Sequence, residues 1–434
     1  MAADQVDFTE AVFSHARTHA DACVNCGACH AACPMLEPAG LPTGTVAAHS
    51  AIAGVLDLVR GGDGSADAVR WADVCTSSGR CIPACDYGVN PRLLLRVAGM
   101  AAKNRTRDRA TVRAAAAGNF AAMARNVNSL APMLLSEADQ ARLRPGREAP
   151  EETPDVVFYT GSNVLKTPHI ALLCLDILDA LGVRHAVRGG TGTCCGIQQS
   201  RAGDTAMAGR VIRSTLRTLS EPGAAEVLAW CPTCHVQFAE FALPSLAAAG
   251  EAEPFAMTPF LMFLERHLDA LRPLLTRPVP CRVALHERPG LPDVMRAARA
   301  LLSAVPGVEL VELDVPRYGL MANYMAVLPA HKAAVVQREL AAAAEAGVTT
   351  LATIYHACHR DLCHFEDGRP FEIVNFLEIV GQSMGIVRED LYKRLKLLGD
   401  ADAIVADQAD VIAARGLDAS RVRAALVADM MLAP

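Results

Sequence analysis

Two adjacent cysteines and a glycine, Cys194-Cys195-Gly196, are followed 35 residues later by Cys231-Pro-Thr-Cys234. No other feature constrains this chain as much. Neighbouring side chains diverge, so an adjacent pair cannot easily close on one metal ion in a relaxed tetrahedron. It suits a multi-iron cluster, where adjacent thiolates reach different irons and thiolate is the natural ligand. The sequence between the pairs predicts how they meet: a helix over 206–219, then a strand over 226–230 that delivers Cys231 at its carboxyl end. The thiols would then lie at the carboxyl edge of an open sheet, where α/β folds put their sites. Buried structural cysteines are common, but four in this spacing point to ligation.

The 434 residues have room for about three domains on length alone. Net charge is −6 and aromatics are 5%, which argues against a basic nucleic-acid surface and against a base-stacking platform. The 15 cysteines are odd in number and closely spaced, unlike a disulfide framework. The N-terminus has acidic residues and no long apolar run, so it does not read as a secretory signal. Together these place the thiols reduced and metal-bound in the cytoplasm. The apolar run 255–264 is too short to cross a bilayer, so membrane contact is expected only through a partner.

Residues 1–125 carry Cys23-x2-Cys26-x2-Cys29-x3-Cys33-Pro34, the bacterial ferredoxin run, in which three cysteines hold one [4Fe–4S] cluster and the fourth reaches the other. A second frame, Cys75…Ser78…Cys81…Cys85, has Ser78 where a cysteine belongs and Asp86 in place of the usual proline. Helical periodicity over 44–60, 93–104 and 110–126 predicts an α-helical ferredoxin-like domain. By the pairing rule Cys23, Cys26, Cys29 and Cys85 complete one cluster. Cys33, Cys75 and Cys81 offer three thiolates to a second. That second site is a [4Fe–4S] cluster with Ser78 as oxygen ligand, a three-iron cluster, or lost.

Residues 126–153, ending in a charged, proline-bearing run, read as a linker. Residues 154–277 form an α/β half with strands at 155–161, 184–188 and 226–230 and helices at 170–181, 206–219 and 259–271. Residues 278–372 repeat the pattern: strands at 282–286, 308–313 and 349–355, helices at 293–304 and 330–344. This predicts an internal duplication. Residues 373–434 read as a helical tail.

This order, a helical ferredoxin followed by a cysteine-rich domain of the CCG type and a second such copy, resembles the D-type subunit of heterodisulfide reductase. It equally resembles the iron–sulfur subunit of glycolate oxidase. The resemblance implies an all-α N-terminal part followed by two Rossmann-like CCG-type α/β halves. It also implies cluster ligands Cys194, Cys195, Cys231 and Cys234, in a motif that carries an earlier cysteine after the first strand. Ser162 stands there, 31 residues before Cys194. Four thiolates are left where the non-cubane form of the cluster takes five. A cubane, or a non-cubane with Ser162 as ligand, fits equally well. In the second copy Pro289 and Tyr355 replace cysteines and no Cys-Cys pair occurs, so that half is expected to be degenerate and without a cluster.

Several residues remain outside this scheme. Cys174 reads as core. His286 reads as a satisfied polar residue at a strand end, and His235 as a donor to a cluster sulfur. His356, Cys358, His359, Cys363 and His364 form either a mononuclear metal site or flavin-facing patch, or a relic of an ancestral ligand loop. The chain has no strand–GxGxxG–helix fingerprint of its own. A flavoprotein dehydrogenase or electron-transfer flavoprotein is therefore the expected partner. The function expected is an iron–sulfur electron-transfer subunit relaying electrons from it. The alternative is a catalytic disulfide reductase acting at the CCG cluster.

Overall fold

Eight short strands, all parallel, make two separate four-stranded sheets. The first contains β1 (Val156–Tyr159), β2 (His185–Arg188), β3 (Glu226–Ala229) and β4 (Ala256–Pro259). The second contains β5 (Cys281–His286), β6 (Val308–Val311), β7 (Thr350–Thr353) and β8 (Glu372–Asn375). The orders, β2-β1-β3-β4 and β6-β5-β7-β8, are the same arrangement twice. The computed structural model describes residues 6–143 and 152–431.

Two of the central strands, Val156-Val157-Phe158-Tyr159 and Thr350-Leu351-Ala352-Thr353, are buried throughout. Helices cover both faces of such parallel sheets, so the strands read as continuous apolar runs without alternation. Proline opens the crossover helices Pro168–Ala180, Pro292–Ser303 and Pro329–Glu345. Its missing N–H costs nothing in the first turn.

Ahead of the sheets lies an all-α part whose main helices are Phe8–Ala22, Thr45–Val59, Ala66–Asp73, Pro91–Thr106 and Arg109–Leu134. It does not stand apart: one continuous apolar core runs from Phe8 through both α/β parts. Gly209 marks one point of contact, since a Cβ there would come within 2.6 Å of the Phe8 side chain. The C-terminal helices close on a smaller core of Leu130, Tyr392, Leu395, Ile404, Val422 and Leu426. Beneath it, buried Lys166 pairs with Asp429. Among the described residues no helix is long and apolar enough to cross a membrane.

Three elements differ from the sequence expectation. The helix expected to end at Asn126 continues to Leu134, because Val127, Leu130 and Ala131 are buried; the supposed linker therefore starts as packed helix, and residues 144–151 lie outside the described residues. β4 occupies residues that showed no strand pattern. β8 completes the second sheet where the helical tail was expected to begin.

Candidate metal centre

In each sheet the strand order reverses between its two central strands, β1/β3 and β5/β7. The crevice beyond the carboxyl ends at such a switch point is where open sheets bind ligands. β1 leads into Gly161-Ser162, β2 into the loop that carries Cys194 and Cys195, and β3 into Cys231. All four thiols are buried, and with Ser162 they line one cavity of about 240 Å³. The four thiols are close enough to compete for protons: Cys194 and Cys234 both neighbour Cys195, and Cys234 also neighbours Cys231. Cys195 and Cys231 are thereby pulled below the ordinary thiol range, and Cys194 and Cys234 pushed above it. Four sulfurs sharing protons this way form a dense soft-donor set, which fits an iron–sulfur core. Ser162 Oγ donates to the Gly190 carbonyl at 3.0 Å and also lies within hydrogen-bonding reach of the Cys194 sulfur.

Gly161 has φ +63°, and a Cβ added there would sit 3.0 Å from the Cys234 sulfur. Gly161→Ala is therefore expected to cost about 1–2 kcal/mol in backbone strain and to displace that sulfur. Lower iron per chain, with the helical part's iron retained, is the result that iron analysis should return.

The helical part gathers two more thiol sets. Cys23, Cys26, Cys29 and Cys85 line one hollow with Trp71 and Tyr87. Asn25 and Gly27, with φ of 54° and 90°, coil the chain between the first three of these cysteines. Burial, followed by the charges of Cys23, Cys26 and Cys85, pushes the Cys29 thiol up to about 12. Cys33, Cys75 and Cys81 form the second set. Burial raises all three, Cys75 and Cys33 lie within each other's electrostatic reach, and Cys81 feels both as well as Cys29. Trp71 Nε1 donates to the Cys33 sulfur at 3.3 Å, and the Ser77 backbone N–H, in a left-handed turn of φ 55°, donates to Cys75. Ser78 is buried in the loop between Cys75 and Cys81.

Two arginines on the Pro91–Thr106 helix join these sets to the sheets. Arg92 donates to the carbonyls of Ser77 at 3.2 Å and Gly290 at 2.9 Å, and pairs with Glu240. Arg96 donates to Gln237, which in turn donates to Ser200 Oγ at 3.2 Å. Glu240 and Gln237 both come from a π-helical stretch, Val236–Ala242, immediately after the Cys231/Cys234 turn. Burial brings Arg96 down to about 10, so it stays cationic at neutral pH. Its charge acts on both Cys75 and Cys195. Sequence reading missed this pair. The available signal was two arginines four apart in an otherwise apolar helix, PRLLLRVAGM.

The second crevice holds different chemistry. Cys358 faces His286 and Arg288; burial would raise it, but the two cationic groups outweigh burial and bring it below the ordinary thiol range. His286 Nδ1 lies 2.6 Å from Glu339, itself paired with Arg317 at 3.1 Å. A single thiol beside a histidine and an arginine thus stands where the first crevice has four sulfurs. The expected group of His356, Cys358, His359, Cys363 and His364 is not one site. His356, Cys358 and His359 sit on the single short helix His356–Leu362 and point different ways. His356 lines the thiol cavity, Cys358 joins His286, and His359 bonds Asp390. Cys363 is buried near Lys396, and burial holds His364 down to about 4. Cys174 is fully buried core. His235 is held down to about 4 by burial and by Arg92, and its Nδ1 has no partner among the described residues.

Comparison with known proteins agrees with these sets. A family model described as a 4Fe-4S dicluster domain matches residues 19–89, and one described as a cysteine-rich domain, CCG, matches 158–239. The chain is 25% identical over 274 residues to the D-type subunit of dihydromethanophenazine:CoB–CoM heterodisulfide reductase from Methanosarcina barkeri. It is 24% identical to the proteins of the same name from Methanosarcina mazei and Methanosarcina acetivorans. Each match covers 59% of this chain and 65% of the relative, so the chain spans just under two thirds of these relatives. The two family matches cover the loops that bear the three thiol sets, and in these parts the chain is similar to the D-type heterodisulfide reductase polypeptide and has the cysteine-rich domains that carry [4Fe–4S] clusters.

Proposed function

We propose that this chain is an iron–sulfur electron-transfer subunit of an oxidoreductase complex, receiving electrons from a flavoprotein partner in the cytoplasm. The observation that carries this reading is Arg96, whose charge reaches Cys75 on one side and Cys195 on the other. Arg96 thereby joins the second thiol set to the third, and Cys81, which feels the charge of Cys29, joins the second to the first. Cys23, Cys26, Cys29 and Cys85 would hold the first cluster; Cys33, Cys75 and Cys81, with Ser78 or as a three-iron set, the second; Cys194, Cys195, Cys231 and Cys234, with Ser162 beside them, the third. A [4Fe–4S] cluster bound at a set supplies a one-electron carrier. Around each set the chain's own residues shape its potential. Trp71 donates to Cys33, and Arg92 and Arg96 lay positive charge against Cys75, all of which favour the more negative, reduced state. The first set reaches the surface at exposed Cys26, flanked by exposed Val24 and Tyr87, and this edge suits docking of the partner.

A second reading rests on the thiol cavity itself. Lys166, Arg201 and Arg360 line it beside Cys194 and Cys195, a cationic space able to take an anionic disulfide. The relatives' name includes heterodisulfide reductase, and on this reading the third set would be catalytic.

Anaerobic protein assayed with reduced viologen and low-molecular-weight disulfides, alongside iron analysis and an EPR redox titration, separates the two. A relay gives about 11–12 irons, magnetically interacting signals and no disulfide-dependent viologen oxidation. It also binds a flavoprotein through the Cys26 edge. Disulfide-dependent turnover that disappears in Cys194→Ala would replace the first reading with the second.

A further inference from the structure

We infer that the chain carries a buried mononuclear zinc site of His169, His359, Glu378 and Asp390, separate from its thiols. One donor atom from each of the four lies within 4.8 Å of the others. His169 Nδ1 is 3.3 Å from Asp390 Oδ1, His169 Nε2 is 3.6 Å from Glu378 Oε1, and His359 Nε2 is 2.5 Å from Asp390 Oδ2. The two histidines are 2% and 0% exposed.

The hydrogen bonds around His359 indicate what belongs between these groups. The Thr353 hydroxyl donates to the Val374 carbonyl at 3.1 Å, so towards the His359 ring, 3.2 Å away, its oxygen accepts from Nδ1–H. In the neutral ring this leaves a lone pair on Nε2, pointing at a carboxylate oxygen. Such a pair is held either by a proton shared between Nε2 and Oδ2 or, slightly further apart, by a metal ion that takes both atoms as ligands. An outer hydrogen bond that fixes the tautomer in this way is what metal-ligating histidines have. His169 adds an independent sign: neither of its ring nitrogens has a hydrogen-bond partner among the described residues, although the ring is buried. Charge points the same way. The nearby Lys393 ammonium is engaged with Glu366 and the Ile373 carbonyl, each within 3.2 Å, and does not bond either carboxylate of the quartet. Backbone N–H groups orient both carboxylates, Asn375 donating to half-buried Glu378 at 2.7 Å and Lys393 to buried Asp390 at 3.0 Å, and a divalent ion would neutralise the pair. Two imidazoles and two carboxylates supply four nitrogen and oxygen donors of the kinds that bind Zn²⁺, enough for a four-coordinate site.

The four ligands come from four places: the Pro168–Ala180 helix of the first α/β half, the helices after β7 and β8, and the N-cap of the tail helix Leu391–Lys396. The ion would therefore fasten both halves and the tail together. It would also fix the helix whose next residue, Arg360, lines the thiol cavity.

The test is metal analysis and zinc-edge X-ray absorption on the full chain, purified anaerobically with its iron and then incubated with Zn²⁺ and desalted. The expected result is about one zinc per chain with a nitrogen/oxygen shell at about 2.0 Å and no sulfur. His359→Gln should lose that zinc while keeping the cluster absorbance. Three results would overturn the inference: a wild-type chain without zinc, which would mean that protons bridge these groups; a sulfur-containing zinc shell; and an unchanged zinc content in His359→Gln. The first two are read on the wild type and stand even if the variant fails to fold.

Discussion

Cys195→Ala is expected to remove about four irons per chain and to stop electron flow through the first α/β half. Cys195 is the hub of its set: it lies beside both Cys194 and Cys234 and feels the charge of Arg96. Deleting a ligand should exceed the about 10–100-fold loss that follows removal of an outer hydrogen-bonding partner. Cys23, Cys26, Cys29 and Cys85 lie in a different hollow and should keep their iron. Iron and sulfide analysis with EPR on the anaerobic variant reads this directly. Full iron content in the variant would show that the Cys194–Cys234 region is not a cluster site.

Arg92→Met should have the largest effect on stability. Arg92 is 5% exposed and binds the helical part (Ser77), the first half (Glu240) and the second half (Gly290) at once. Removing one partner of a buried ion pair costs about 3–5 kcal/mol. Glu240, 23% exposed, can recover some hydration, which places the cost towards the lower figure. Two carbonyls also lose their donor. Anaerobic urea unfolding should show an earlier midpoint, with iron lost first from the Cys33/Cys75/Cys81 set. Arg92→Lys should recover only part of the loss, because an ammonium cannot reproduce the planar fork that reaches three groups. An unchanged midpoint in Arg92→Met would refute the structural role.

Cysteine spacing made the chemistry legible. The Cys-Cys pair, the CxxC turn and the ferredoxin run each fall where short-range geometry alone brings ligands together, and the missing cysteine at Ser162 was visible in the same way. Strands β1, β3, β5 and β7 were legible because each carries a short apolar segment, from Val156-Val157-Phe158 in β1 to Val283-Ala284-Leu285 in β5, ahead of a turn or loop. β4 was not, since Ala-Met-Thr-Pro carries no strand pattern and runs straight into a helix. β8 was hidden because its Asn375 also opens a capping box for the next helix. The His356–His364 group misled for a related reason. His356, Cys358 and His359 share one short helix but engage the thiol cavity, His286 and Asp390 in turn, and Cys363 and His364 lie beyond it, so proximity along the chain did not gather one donor set. The converse holds for His169, His359, Glu378 and Asp390, four residues from four elements that no spacing rule connects.

The duplicated fold has a further consequence for life in air. The second half has no Cys-Cys pair, yet its Met321, Asn323, His356 and Arg360 wall the cavity over the buried thiols of the first. Cys26, at the opposite end of the series, is exposed. Dioxygen therefore meets the outermost set first and the sheltered one last. The half without a Cys-Cys pair thus walls the approach to the buried thiols of the other.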